Sequence, residues 1–154
     1  MIEREWIPGR SSRPPICEIA LGLYQGGALP LGATFRDLGV SAIVDLATEP
    51  HRAPPPPLGR VYVRWPFPDG PDVDPPTTRA VANLVKGLVE AGHIVLVHCT
   101  GGLNRSALVV TRSLIAMGWD PQEAVSHVRA RRGDPRTLSN RRFEEWLYGE
   151  TPGT

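Results

Sequence analysis

The strongest constraint on this chain is the passage from His93-Ile94-Val95-Leu96-Val97 into His98-Cys99-Thr100-Gly101-Gly102-Leu103-Asn104-Arg105-Ser106. From Ile94 the first half is apolar without polar alternation, so an extended segment there needs cover on both faces. That is the pattern of a central strand in a parallel sheet. The second half holds Gly101 and Gly102 and leads into Ala107-Leu108-Val109-Val110. This predicts a helix that starts near Leu103 or Asn104, runs to Met117 and stops at Gly118. A buried strand that turns straight into a helix commits the chain to an α/β fold, and open α/β sheets bind ligands at such strand ends.

The flanking sequence fills in the same architecture. Ile19 to Gln25 reads as a short strand ending in a Gly26-Gly27 turn, a short helix follows around Thr34 to Leu38, and Ala42-Ile43-Val44-Asp45-Leu46 is a buried strand. Pro54-Pro55-Pro56-Pro57 can enter neither a ladder nor a helix interior and forms a surface loop. It does not divide two domains, because neither flank could build a core alone. Arg60 to Trp65 is a strand stopped by Pro66, and Pro66 to Pro76, with five prolines and three aspartates, is a loop. Val81, Leu84, Val85 and Leu88 recur at helical spacing within Thr77 to Glu90. Asp120-Pro121 has the form of an N-cap and first helical residue, opening a helix through about Arg131. Ser139 or Asn140 caps a last helix carrying Phe143, Trp146 and Leu147. The expected fold is therefore α/β, with a mainly parallel central sheet of four to five strands flanked by helices. Residues 1–18 are expected as an extended N-terminal arm and 19–150 as a single domain.

Composition excludes more than it assigns. The net charge of +1 predicts no nucleic-acid or membrane partner from the whole-molecule field, and no apolar run approaches the roughly 18 residues of a membrane span. Two cysteines, Cys17 and Cys99, make no disulfide framework, which suits a reducing, cytosolic compartment. Arg129, Arg131, Arg132, Arg136, Arg141 and Arg142 crowd the last quarter, either as a basic rim beside an anion site or as a solvated helix face.

The loop itself carries the chemistry. Helix N-termini present unpaired N–H groups and a positive dipole end, so a phosphate can settle there. Gly101 and Gly102 let successive N–H groups turn inward as an anion nest, and the same field favours a thiolate at Cys99. Arg105 would close the ring with a planar fork that grips two oxygens. Thr100, Gly101, Gly102, Leu103, Asn104 and Arg105 are thus the expected phosphate-binding residues. A Walker loop would end in Gly-Lys-Ser/Thr, sulfur-transfer loops are usually a residue shorter, and a zinc site would need more cysteines or histidines close by. A phosphate ester also needs its leaving oxygen protonated, so a carboxylic acid should face the loop. The candidates are Asp69, Asp72 and Asp74, with Asp69, between Pro68 and Gly70, favoured.

From about Ile19 to Leu147 the chain resembles the dual-specificity branch of the protein tyrosine phosphatase superfamily, especially its small bacterial members. Val97 to Ser106 matches H-C-x-x-G-x-x-R-S, the most specific element. Leu21 to Gly26 and Gly39 to Leu46 resemble the family's first strands, Trp65-Pro66-Phe67-Pro68-Asp69-Gly70 its acid-bearing segment, and Ser139-Asn140 with Phe143 its last helix start. The resemblance implies Cys99 as the nucleophile that forms a phosphocysteine, Arg105 as the clamp, and Asp69 as acid and then base. It implies Ser106 as a hydrogen bond to the departing sulfur, and His98 as support for loop and thiolate through hydrogen bonds. It implies no metal or cofactor, and a monomeric cytoplasmic enzyme acting on phosphotyrosine, and on phosphoserine or phosphothreonine, in proteins. Where relatives often carry alanine, Gly101 predicts a looser loop. The absence of lysine or arginine from Thr100 to Asn104 favours a phosphoprotein over a highly charged inositide. The Cys99-Thr100 and Asn104-Arg105 pairs also resemble RNA 5′-triphosphatases of the superfamily, so an RNA or another small phosphate ester is the alternative substrate. A non-catalytic phosphate-binding module is a third reading, opposed by intact Cys99, Arg105 and Ser106.

Overall fold

The computed structural model describes residues 16–68 and 70–154. The elements are β1 (Cys17–Ala20), β2 (Leu23–Gly26), α1 (Phe35–Leu38), β3 (Ala42–Asp45) and β4 (Val61–Arg64), followed by α2 (Pro75–Glu90), β5 (Val95–His98), α3 (Arg105–Ala116), α4 (Pro121–Arg132) and α5 (Arg141–Tyr148). The strands form one sheet in the order β1-β2-β5-β3-β4. Only the β1–β2 pair is antiparallel; β2, β5, β3 and β4 run parallel. The mainly parallel five-stranded sheet flanked by helices is the architecture expected from the sequence.

The period of two along each strand sorts its side chains into two cores. Leu23, Ala42, Val44, Val95 and Val97 point into the larger one, against α2, α3, α4 and α5. Tyr24, Ile43 and Leu96 point into the smaller one, with Phe35 and Leu38 of α1. The unbroken apolar run of β5 is explained by this double cover. Every residue of α3 is buried, so this helix is enclosed by the others and its N-terminus is fixed against the end of β5.

Three boundaries differ from the sequence reading. The single strand expected over Ile19 to Gln25 is a hairpin, reversed at Leu21-Gly22 with Gly22 at φ 78°. Leu21 is apolar yet 92% exposed in that turn, so the apolar pattern runs on through the reversal and hides it. The sheet also begins at Cys17, inside the segment expected as an arm; residues 1–15 of that arm lie outside the described residues. Helix α2 starts at Pro75, not Thr77, because Asp74 accepts from Thr77 N–H and prolines suit the first turn, where N–H groups have no helical partner. Among the described residues no helix is long and apolar enough to cross a membrane.

Candidate active site

The loop from Cys99 to Asn104 leaves the C-terminal end of β5, between the ends of β2 and β3. Cys99 is 2% exposed. Gly102 donates its N–H to Cys99 Sγ at 3.2 Å, and Ser106 Oγ lies 3.4 Å from the same sulfur. Gly102 has φ 70°, and a Cβ there would stand 2.7 Å from Gly27 N. Only glycine can turn the chain here so close to β2. Gly101, by contrast, has open space around a notional Cβ.

Helix α3 begins at Arg105, with Asn104 at its N-cap making no side-chain cap bond. The Asn104 carboxamide is engaged elsewhere: Oδ1 accepts from Asn140 N–H at 3.1 Å and Nδ2 reaches Ser139 Oγ at 3.5 Å. The first amides of α3 are therefore left for an anion rather than for a capping oxygen. Arg105 is almost fully buried. It donates to the Phe67 carbonyl at 3.2 Å, Thr48 Oγ1 at 3.4 Å and Glu49 Oε1 at 3.3 Å. The other oxygen of Glu49 accepts from the Thr100 hydroxyl at 2.5 Å. Chiefly because of the Thr100 hydrogen bond, with Arg105 adding to it, the Glu49 carboxyl is held down to about 2. A carboxylate thus bridges Thr100 and Arg105, two groups expected to hold phosphate.

The loop is braced from behind by residues that sequence reasoning did not assign to the site. Gln25 is fully buried and donates through Nε2 to Gly102 O and Ser106 Oγ, both at 3.2 Å. Its one visible signal was a carboxamide at the end of an otherwise apolar strand. Arg132 reaches Gly102 O at 3.0 Å, Gln25 O at 3.4 Å and Cys17 Sγ at 3.5 Å. Nothing set it apart from its arginine neighbours in sequence. Those neighbours form no common rim: Arg129 binds Thr137 O, Leu138 O and Glu144, Arg131 binds Glu18 O, Arg136 pairs with Asp134, Arg141 with Glu145 and Arg142 with Asp72.

Asp69 lies outside the described residues. The backbone on either side of it is anchored near the loop, Phe67 O by Arg105, and Gly70 O and Pro71 O by Asn140 Nδ2 at 3.5 and 3.3 Å. Asp72 pairs with Arg142 and Asp74 caps α2. His98 is 1% exposed, and neither ring nitrogen is in a hydrogen bond of ordinary length; Nε2 lies 3.6 Å from Asp45 Oδ1. Of the loop-supporting hydrogen bonds expected of His98, a contact with the Cys99 backbone is present. Burial holds its pKa below the usual value, against Asp45 and that Cys99 contact.

Comparison with known proteins fits this geometry. Mouse protein tyrosine phosphatase type IVA 2 is 34% identical over 104 residues, 64% of this chain and 60% of the relative. Human protein tyrosine phosphatase type IVA 3 is 38% identical over 79 residues, 48% of this chain and 44% of the relative. The chain therefore spans less than two thirds of the length of either relative. The crystal structure of human DUSP28 superposes with a TM-score of 0.69 at 28% identity, covering 87% of this chain and 95% of that one. The family profile "Dual specificity phosphatase, catalytic domain" matches residues 35–150. With its cysteine, glycines and arginine gathered on one uncapped helix N-terminus, and with that match spanning most of its length, the chain belongs to the dual specificity phosphatase catalytic-domain family.

Proposed function

We propose that this chain is a monomeric, cytosolic cysteine-dependent protein phosphatase that hydrolyses phosphotyrosine, with phosphoserine and phosphothreonine as further substrates. The observation that carries the reading is the sulfur of Cys99, held by Gly102 N–H and Ser106 at the mouth of a helix whose first residue is Arg105. In the proposed reaction the Cys99 thiolate attacks phosphorus while Arg105 and the amides of Thr100 to Asn104 hold the non-bridging oxygens. The P–O ester bond breaks, and the leaving oxygen takes a proton from Asp69. Water then attacks the phosphocysteine and gives its proton to the Asp69 carboxylate; the S–P bond breaks, and the Ser106 hydroxyl donates to the departing sulfur. Asp72 and Asp74 already serve Arg142 and the α2 cap, which favours Asp69 as the acid. Both cysteines are free thiols, as a reducing compartment would keep them.

Replacing Cys99 by serine is the first test: turnover of p-nitrophenyl phosphate should vanish while phosphate still binds, and full activity in that variant would overturn the mechanism. Asp69→Asn should slow hydrolysis by about 10²–10⁴-fold; an unchanged rate would move the role to Asp72 or Asp74. The Glu49 carboxylate beside the loop disfavours a polyanionic triphosphate. Phosphotyrosine peptide should therefore be turned over in preference to triphosphorylated RNA in a side-by-side assay.

A further inference from the structure

Three side chains that the phosphoryl chemistry leaves over meet behind the loop. Asp45 ends β3, His51 lies in the loop that follows, and His98 ends β5. One ligand atom from each falls within 4.8 Å of the others. Asp45 Oδ2 is 2.5 Å from His51 Nε2, and Asp45 Oδ1 is 3.6 Å from His98 Nε2.

Two features ask for a cation among them. His98 is buried with neither ring nitrogen in a hydrogen bond of ordinary length, which is costly unless some acid, a proton or an ion, meets a nitrogen lone pair. His51 Nδ1 stands 2.8 Å from the Glu49 carbonyl, which can only accept, so Nδ1 carries the hydrogen. In the neutral ring Nε2 then turns a lone pair on a carboxylate oxygen, an arrangement that is repulsive without positive charge beside it. A backbone carbonyl on the remote nitrogen is also how metal-binding imidazoles are oriented. The Asp45 carboxylate is fixed by Ala47 N–H at 3.0 Å and by the Tyr62 hydroxyl. A cavity of about 280 Å³, lined in part by His51, His98, Leu29 and Pro50, gives an ion a way in.

We propose that Asp45, His51 and His98 bind a divalent transition-metal ion of the zinc type, with water completing the coordination. Two imidazole nitrogens and one carboxylate oxygen select zinc, cobalt or nickel over magnesium and calcium, which prefer all-oxygen sites. The ion takes no part in the phosphoryl step. It ties the loop after β3 to the end of β5, across strands that are already paired. The ligands sit 6 and 47 residues apart, so no zinc spacing shows in the sequence; the sheet assembles the site.

The test uses the untagged full chain carrying Cys99→Ser, so that no active-site thiolate can capture the ion, stripped by chelator. Zn²⁺ titrated in competition with a chromophoric chelator should bind at one equivalent, and Co²⁺ should give the intense visible bands of a tetrahedral site. His51→Gln, on a part-exposed ring, should weaken binding more than about 100-fold, beyond the loss of an outer-shell partner. Asp45→Asn, nearly isosteric, should do the same, with far-UV circular dichroism reporting the fold. His93→Gln should leave binding unchanged, since His93 bonds Ser41 away from the cluster. No stoichiometric binding in the Cys99→Ser chain, or affinity unmoved by His51→Gln, would show a plain Asp45–His51 ion pair and overturn the proposal. Loss of phosphatase activity elsewhere would leave it standing.

Discussion

At position 102 the backbone sits at φ 70°, and a methyl group would meet Gly27 N at 2.7 Å, with Arg132 Nη2 and Gly26 C at 2.9 Å. Left-handed strain and overpacking against backbone together should cost about 2–5 kcal/mol in Gly102→Ala, read as a lower urea midpoint and a loss of turnover. Gly101→Ala, with nothing within 4 Å of its added carbon, should stay within about 0.5 kcal/mol of the parent. Equal losses in the two would mean that the loop is not seated against β2 as described. Glu49 supplies a second contrast. Its carboxylate occupies Thr100 Oγ1 and an Arg105 nitrogen, so an incoming phosphate has to displace it. Because Glu49 is half exposed, the competition is worth at most about 1 kcal/mol, so Glu49→Gln should lower the inhibition constant of inorganic phosphate about fivefold. A raised constant would make Glu49 part of the binding site instead of its competitor.

Among the elements, α2 separates structural from catalytic aspartates. Asp74 accepts from Thr77 N–H at 3.3 Å and Thr77 Oγ1 at 2.8 Å, so Asp74→Ala should cost about 1 kcal/mol of stability through the lost cap and leave kcat on p-nitrophenyl phosphate unchanged. A large fall in kcat with the midpoint intact would instead mark Asp74 as the acid. The cap was readable in the sequence only as an aspartate before two prolines, and those prolines concealed a first helical turn inside what looked like loop. Features with a local cause were legible: the doubly covered β5, the Cys99–Arg105 spacing, and Asp120-Pro121 opening α4. Those set by distant partners were not. Gln25 matters because β2 lies beside β5, Arg132 because α4 ends under Gly102, and Asn104 fails to cap α3 because Asn140 takes its oxygen. No window of sequence contains both members of any of these pairs.

Across the whole molecule, one carboxylate joins the helical layer. Glu150, just beyond α5, accepts from Arg79 of α2 at 2.7 and 2.8 Å and from the buried Arg112 of α3 at 2.8 Å. The Arg79 guanidinium in turn lies 5.5 Å from the ring centroid of Trp146 on α5. Hydrogen bonding to Arg79, with Arg112 adding to it, lowers the Glu150 pKa below 4.5. A carboxyl that binds its proton less readily folded than unfolded contributes stability that is complete above the unfolded value and lost as pH falls through the folded one. Glu150→Gln should therefore lower the urea midpoint at neutral pH by about 1.5–3 kcal/mol equivalent, the range for hydrogen bonds to charged groups. The gap between variant and parent should begin to close below the unfolded value of about 4.5 and vanish once the pH has fallen through the lower folded value, where the parent carboxyl is neutral too. None of these groups touches the loop, so kcat of the folded variant should match the parent. A gap that persists in acid would assign the role of Glu150 to shape and not to charge, and a fall in kcat would mean that the clamp on α3 reaches its N-terminus and the phosphate seat there.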